Sequence, residues 1–272
     1  MTRKTIFWVL FTLTSILSLL YFINNYNKAF PSLSLDVKMN REMALEAAKE
    51  LSQKYNWKPE NGNSAITFYS ERETQTFIER EGGSDFAEGL EIFKSLFQDS
   101  LYFPYGWKVR YFEEKNPNEV MVKFTPAGDP YGFYQKIGED EMGDSLSRDS
   151  AFVIATQHLK RDWDVDLDKF ELIDESQKMQ PIGRIDHSFV YERIGFRLGD
   201  EGALRLKLSV NGGKLTEVSH YVHVPEGFKR RFGEIRSFND TIAFSANMFI
   251  FLLYGLAAVS YTHLTLPTIL LV

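Results

Sequence analysis

Residues 204–224 read LRLKLSVNGGKLTEVSHYVHV, and this stretch decides the fold class. Leu204, Leu206, Leu208 and Val210 alternate strictly with Arg205, Lys207 and Ser209. That two-residue period belongs to a strand with one face buried and one wet. Asn211-Gly212-Gly213 then supplies the positive φ angles that a tight hairpin demands. The stretch is predicted to be an antiparallel hairpin, and the fold class to be α+β.

Working upstream, Ser147 can cap a helix over 148–161 with Ala151 and Ala155 four apart, and 170–173 and 188–191 read as strands. Further back the pattern repeats. Asn40 can cap a helix over 41–55, where Ala44, Ala47, Ala48, Leu51 and Tyr55 make one apolar face. A strand at 65–69 and a helix at 86–97 follow, then strands at 107–112, 120–124 and 131–137. VMVKFTPAGDPYGFYQKIGEDE in the first part parallels the hairpin and exit of the second. Two tandem units are predicted, 31–143 and 144–226, each a helix on an antiparallel sheet. One such unit alone is marginally stable, so the pair is expected to share an interface. A polar linker broken by Pro31 precedes them.

Both ends are apolar. Residues 6–23 (IFWVLFTLTSILSLLYFI) carry no charge and, at 1.5 Å per residue, span about 27 Å, close to the hydrocarbon thickness of a bilayer. A cleaved signal peptide is the rival reading, since Arg3 and Lys4 precede the run. The run is long for a signal core, however, and residues 24–28 offer no small-x-small cleavage site. Residues 1–30 are therefore read as a cytoplasmic tip and transmembrane anchor. A second charge-free run begins at Thr241, and 241–258 are read as the start of a second transmembrane helix. The basic N-terminus places that end in the cytoplasm and the units outside it, in a cell membrane. Lys229, Arg230, Arg231 and Arg236, just before the second run, argue the other way, but the first helix usually dominates.

Residues 227–240 are read as a basic amphipathic juxtamembrane segment. Phe228, Phe232, Ile235 and Phe238 recur at helical spacing, with Lys229, Arg230, Arg231 and Arg236 between them. Phe228, Lys229, Arg230, Arg231, Phe232 and Arg236 are the candidate membrane-interface residues, suited to aromatic insertion and anionic headgroups. The lipid bilayer is thus the first expected partner. A net charge of −6 gives no reason to expect nucleic acid, and zero cysteines exclude disulfides but no compartment.

Residues 259–268, VSYTHLTLPT, resemble a translated adapter from transposon-based DNA library preparation, with both flanking codons in agreement. Residues 259–272 are accordingly expected to be an artefact. His263 then carries no functional weight, and coding sequence is expected past Ala258.

Candidate chemistry is sparse. His158 and Asp162 lie four apart on one helix face, a spacing that can support a metal, yet no third ligand is near in sequence. An ordinary exposed pair is expected. His220 and His223 are three apart in a strand, hence on opposite faces. Asp162, Asp164, Asp166 and Asp168 alternate like a calcium loop, but Leu167 and Ile173 stand where Gly and Glu are needed. A solvated connection with Trp163, Val165 and Leu167 turned inward is expected instead. Trp107, Tyr111, Tyr131, Phe133 and Tyr134 are read as core residues, with a peptide groove as the alternative. No catalytic residue, metal site or cofactor is expected in this chain.

A helix with alanines at spacing four, followed by strands ending in a Gly-turn hairpin, is similar to PepSY-type extracytoplasmic modules. The segment HVPEGFKRRFGEIRSFNDTIA, residues 223–243, resembles the junction before the membrane domain of some bacterial CPBP (CAAX-type) intramembrane metalloproteases. Val224, Pro225, Glu226, Ser237 and Asn239 carry that likeness, together with Phe228, Arg230, Arg231 and Arg236. The resemblance implies a non-catalytic regulatory or substrate-presenting region of a truncated protease, partnered by its own downstream transmembrane domain and by a peptide or membrane-protein substrate. It implies zinc only in the missing C-terminal part. The family's EExxxR motif is absent: Glu113-Glu114 is followed by Lys115-Asn116-Pro117-Asn118, and no FxxxH occurs. The alternative is a membrane-anchored sensor or binding module of another multi-pass protein such as a permease.

Overall fold

The computed structural model describes residues 3–29, 36–57, 62–163 and 165–269. Pro31 and Asp164 lie outside the described residues, as do residues 270–272 of the expected artefact. The chain divides into two units, Met1–His223 and Val224–Val272, each described by itself.

The first unit begins with α1 (Arg3–Ala29), whose apolar side chains are exposed along its length. Two of its hydroxyls bond back to the helix: Thr14 Oγ1 and Ser15 Oγ donate to the carbonyls of Leu10 and Phe11, both at 2.9 Å. Bonding back to the preceding turn lets a hydroxyl forgo water. There follow α2 (Arg41–Lys54), β1 (Asn63–Ser70), α3 (Arg72–Glu81), α4 (Phe86–Gln98), β2 (Tyr105–Phe112), β3 (Glu119–Phe124) and β4 (Pro130–Lys136). The unit closes with α5 (Arg148–Asp162), β5 (Phe170–Met179), β6 (Ile185–Leu198), β7 (Gly202–Asn211) and β8 (Lys214–His223).

All eight strands form one antiparallel sheet in the order β1-β2-β3-β4-β8-β7-β6-β5. Each sequence half contributes four strands that follow one another across the sheet, led by α2 in the first half and α5 in the second, with α3 and α4 inserted between β1 and β2. Their last strands join them, through the pairs Phe133↔Val218 and Tyr134↔Glu217. The expected shared interface is therefore a seam inside a continuous sheet. One core runs beneath both halves and includes Ala44, Ala48, Val109, Val122, Phe133, Ala151, Ala155, Leu206, Leu208 and Val218.

The two helices correspond position by position at a constant offset of 107 residues. The caps are Asn40 and Ser147, whose side chains accept from Met43 N–H and Ser150 N–H. The buried residues are Ala44, Ala48 and Ser52 on α2, against Ala151, Ala155 and Leu159 on α5. Alanine at these points lets each helix axis approach the sheet closely. The β7–β8 hairpin turns on Gly212 and Gly213, φ 55° and 84°, between the paired Asn211 and Lys214. Two successive positive φ angles in a two-residue loop are the requirement of a type I′ turn.

Three features differ from the sequence expectation. Helix α3 was not expected, because only Thr74, Phe77 and Ile78 face inward on an otherwise charged segment. Strand β5 runs on past Ile173 through DESQKM, an exposed edge with no apolar alternation to reveal it. Strand β6 extends to Leu198 through an irregularity between Glu192 and Arg197, where Gly195 takes φ 72°.

The second unit is a single helix, α6 (Glu226–Ile269), of 44 residues. It joins the expected juxtamembrane segment 227–240 and the apolar run from Thr241 without a break. Both α1 and α6 are long and apolar enough to cross a membrane.

Candidate functional site

The C-terminal ends of α2 and α5 lie beside strand β4, and four rings stack there in a column. Tyr55 lies 4.7 Å from Trp57, Trp57 lies 4.5 Å from Phe133, and Phe133 lies 5.0 Å from Trp163, with interplanar angles of 24°, 25° and 15°. Local chain chemistry places Trp57. Asn56 adopts φ 54°, and the N–H groups of Asn56 and Trp57 donate back to Gln53 O and Ser52 O at 3.4 and 2.8 Å. This double closure ends a helix and turns the chain sharply inward, with asparagine tolerating the left-handed position.

Asp162, the last residue of α5, anchors the charge beside the column. It accepts from Arg161 Nη2 at 2.8 Å and Nε at 3.1 Å, and His158 Nδ1 lies 3.2 Å away. Lys54 Nζ reaches it from α2 at 3.6 Å. The hydrogen bonds from Arg161 hold its carboxyl down to about 2 against the opposing effect of burial. The expected exposed pair is thus a clamp around a carboxylate only 5% exposed, with the partner imidazole at 38%.

Two pockets meet at Asp162 and Trp163. One, of about 220 Å³, is lined by Tyr55, Trp57, Phe133, His158 and Lys214. The other, of about 680 Å³, is lined by Asp99, Phe103, Asp129, Lys169, Arg193 and His220. The smaller pocket is a groove along the four-ring column, with His158, Asp162 and Lys214 at its rim, a mixed apolar and charged lining of the kind that can hold a small ligand.

His220 sits at the base of the larger pocket. Its ring stacks on Tyr131 at 4.8 Å, and Nδ1 lies 3.0 Å from the Tyr131 carbonyl oxygen. A carbonyl only accepts, so Nδ1 carries the proton of the neutral ring. Burial lowers the imidazole to about 4. Behind it, the Tyr131 hydroxyl accepts from Phe103 N–H at 3.2 Å, and burial pushes that phenol well above its ordinary range. Glu71 accepts from the Tyr102 hydroxyl and from Lys123 Nζ, the latter at 3.0 Å.

The other sequence candidates fall as follows. His220 pairs with Leu206 and His223 with Ala203, which puts the two histidines on opposite sheet faces. Asp166 caps a short 3-10 turn at Leu167–Lys169, and Trp163, Val165 and Leu167 pack against the core. Among the described residues no group of three or more His, Asp or Glu side chains is placed to hold a metal. Tyr111 and Phe133 are buried, and Trp107 Nε1 donates to Met39 O at 2.8 Å. Tyr134 is 40% exposed. The Glu113-Glu114 pair lies in the turn between β2 and β3.

In α6, Phe228 stacks on Phe232 at 5.5 Å, Lys229 Nζ pairs with Glu226 at 2.7 Å, and Phe238 is 67% exposed. Arg230, Arg231, Arg236, Ser237 and Asn239 are exposed along the same helix, while Val224 and Pro225 precede it. Arg236 is five residues before Thr241, about 7.5 Å along the axis, whereas Lys229 is about 18 Å away.

Sequence reasoning missed Tyr55, Trp57, Lys54 and Arg193. The constant offset between the two helices was the available signal, because it places their C-terminal ends in equivalent positions on one sheet. It also missed Arg184, whose side chain is 1% exposed. Its Nε donates to Asp186 at 2.9 Å, and its Nη1 donates to Gly138 O and Glu141 O at 2.9 and 2.7 Å.

No family model matches the chain, and no curated protein matches it. Among solved structures, the C-terminal domain of Bacillus megaterium YpeB aligns at 14% identity with a TM-score of 0.35. The alignment covers 66% of this chain and 62% of that one, a likeness too loose to carry a functional argument.

Proposed function

We propose that this chain is a membrane-anchored extracytoplasmic binding module, held by α1 and α6 and presenting the groove beside Trp163 to a ligand. The observation that carries this reading is the placement of apolar helices long enough to cross a membrane before and after the α+β domain. The basic pair Arg3 and Lys4 favours a cytoplasmic N-terminus and a domain outside. Arg236 and Phe238, exposed next to the apolar run, suit the headgroup level of an anionic bilayer. The test is extraction: the full chain should stay with membranes through an alkaline carbonate wash and leave them only in detergent. Release by carbonate would contradict the anchored reading.

A more specific parent is proposed on residues 223–243 alone. If their likeness to the CPBP junction reflects kinship, the module regulates or presents substrates to a metalloprotease domain further along the chain, where zinc would be bound. Sequencing the gene through and beyond this region decides this. A following helix with Glu-Glu-x-x-x-Arg favours the protease, and a transport domain favours the permease-type alternative.

A further inference from the structure

The two edges of the sheet are built differently. Edge strand β5, FELIDESQKM, carries Glu171, Asp174, Glu175 and Lys178, and its register shifts between Leu172 and Asp174. Charge and a bulge are the usual means by which an edge refuses further pairing. Edge strand β1, NSAITFYS, has no charge, no proline and no glycine. It pairs with β2 in unbroken register over eight residues, from Asn63↔Phe112 to Ser70↔Tyr105. Six of its eight residues are exposed, Phe68 among them at 38%. An unbulged, uncharged, exposed edge presents backbone donors and acceptors ready for another strand.

We propose that β1 pairs antiparallel with β1 of a second copy of this chain, joining two sheets about a two-fold axis at Thr67. The register follows from the faces. Trp107, opposite Phe68, packs against the core, so Ile66 and Phe68 lie on the helix-covered face. Keeping that face continuous requires paired positions to sum to an even number. Centred on Thr67, the pairing sets Ile66 of each copy opposite Phe68 of the other, an aromatic to β-branched pair of the kind that stabilises sheets. No like charges meet, because the strand has none. The contact is self-complementary and closes at two copies. Pairing of β1 with β5 of another copy would instead propagate without closing, and the charges and bulge of β5 oppose it.

An eight-residue strand pair is a small contact, so association depends on confinement in the bilayer, and in that respect the inference rests on the anchored reading. The chain has no cysteine, so a single introduced thiol reports one position without background. The full chain bearing Thr67→Cys, in native membranes, is treated with a short bis-thiol cross-linker. Ser176→Cys, exposed on β5, serves as the comparison. The expected result is a product of twice the 31.5 kDa chain mass for Thr67→Cys, at least tenfold more abundant than for Ser176→Cys. Adding Ala65→Lys, an exposed charge on the edge, should cut that yield about tenfold while leaving the protease-digestion pattern unchanged. Equal yields at the two positions, a cross-linked product of another mass, or no effect of Ala65→Lys would overturn the proposal. Carbonate extraction of the same membranes shows separately whether the anchor holds.

Discussion

Lys54, the last residue of α2, reaches the carboxylate of Asp162, the last residue of α5, across 3.6 Å. The contact ties the two halves of the chain together at the rim of the groove. Because Asp162 titrates near 2 in the fold and near 4 when unfolded, its contribution is complete above about pH 4. It is lost as the pH falls through 2. Asp162→Asn should cost about 1 kcal/mol at pH 7, a modest figure because Lys54 and Arg161 are solvent-exposed. Denaturant melts of both proteins should differ at pH 7 and converge near pH 2. An equal gap at both values would show that charge is not the cause.

His220 gives a second, separate pH dependence. Its folded value of about 4 lies below the ordinary 6.5, so the unfolded chain binds the extra proton first. Stability from the neutral ring is complete above about pH 6.5 and is lost as the pH falls through 4. The loss should be on the order of 2 kcal/mol. His220→Gln should flatten the melting temperature between pH 6.5 and 4. An unchanged slope would assign the dependence to other groups.

Ala48 and Ala155 are both fully buried at equivalent places on α2 and α5. Replacing either with leucine forces extra volume between helix and sheet and should cost about 1–3 kcal/mol. Similar losses from the two variants are expected, measured as midpoint shifts in urea. A neutral result at Ala155 would mean that α5 can lift from the sheet freely.

Arg184 is the buried cation that binds the link between the halves to the β5–β6 turn. Arg184→Met removes its bonds to Gly138 O and Glu141 O and leaves Asp186, whose side chain is 13% exposed, without its cation and with the Gln180 amide at 2.6 Å as its remaining partner among the bonds described. Breaking a buried pair from one side should cost about 3–5 kcal/mol. Arg184→Met with Asp186→Leu should recover a large part of it. Failure of the double variant to recover would assign the loss to the two carbonyls.

The hairpin at Asn211-Gly212-Gly213 and the caps Asn40 and Ser147 were legible because each rests on local chemistry within a few residues. The antiparallel α+β class followed from them. The joining of both halves into one sheet was not legible, because among the described residues it rests on two ladder pairs, Phe133↔Val218 and Tyr134↔Glu217, between strands far apart in sequence. The groove was hidden for a related reason. Its rings come from residues 55, 57, 133 and 163, and stacking between distant segments leaves no periodic trace. Helix α3 was lost to its own charge, with Phe77 and Ile78 too few to set a period.

On the proposed function, the α+β domain stands outside the cytoplasm between two membrane-crossing helices. Single cysteines at Ser70 and Ser176 test it, since both positions are exposed, whereas Ser209 is only 8% exposed and unsuited to labelling. Intact cells producing the full chain are treated with a membrane-impermeant thiol reagent, then lysed and treated again. Both positions should be labelled before lysis. Labelling only after lysis would place the domain in the cytoplasm and contradict it.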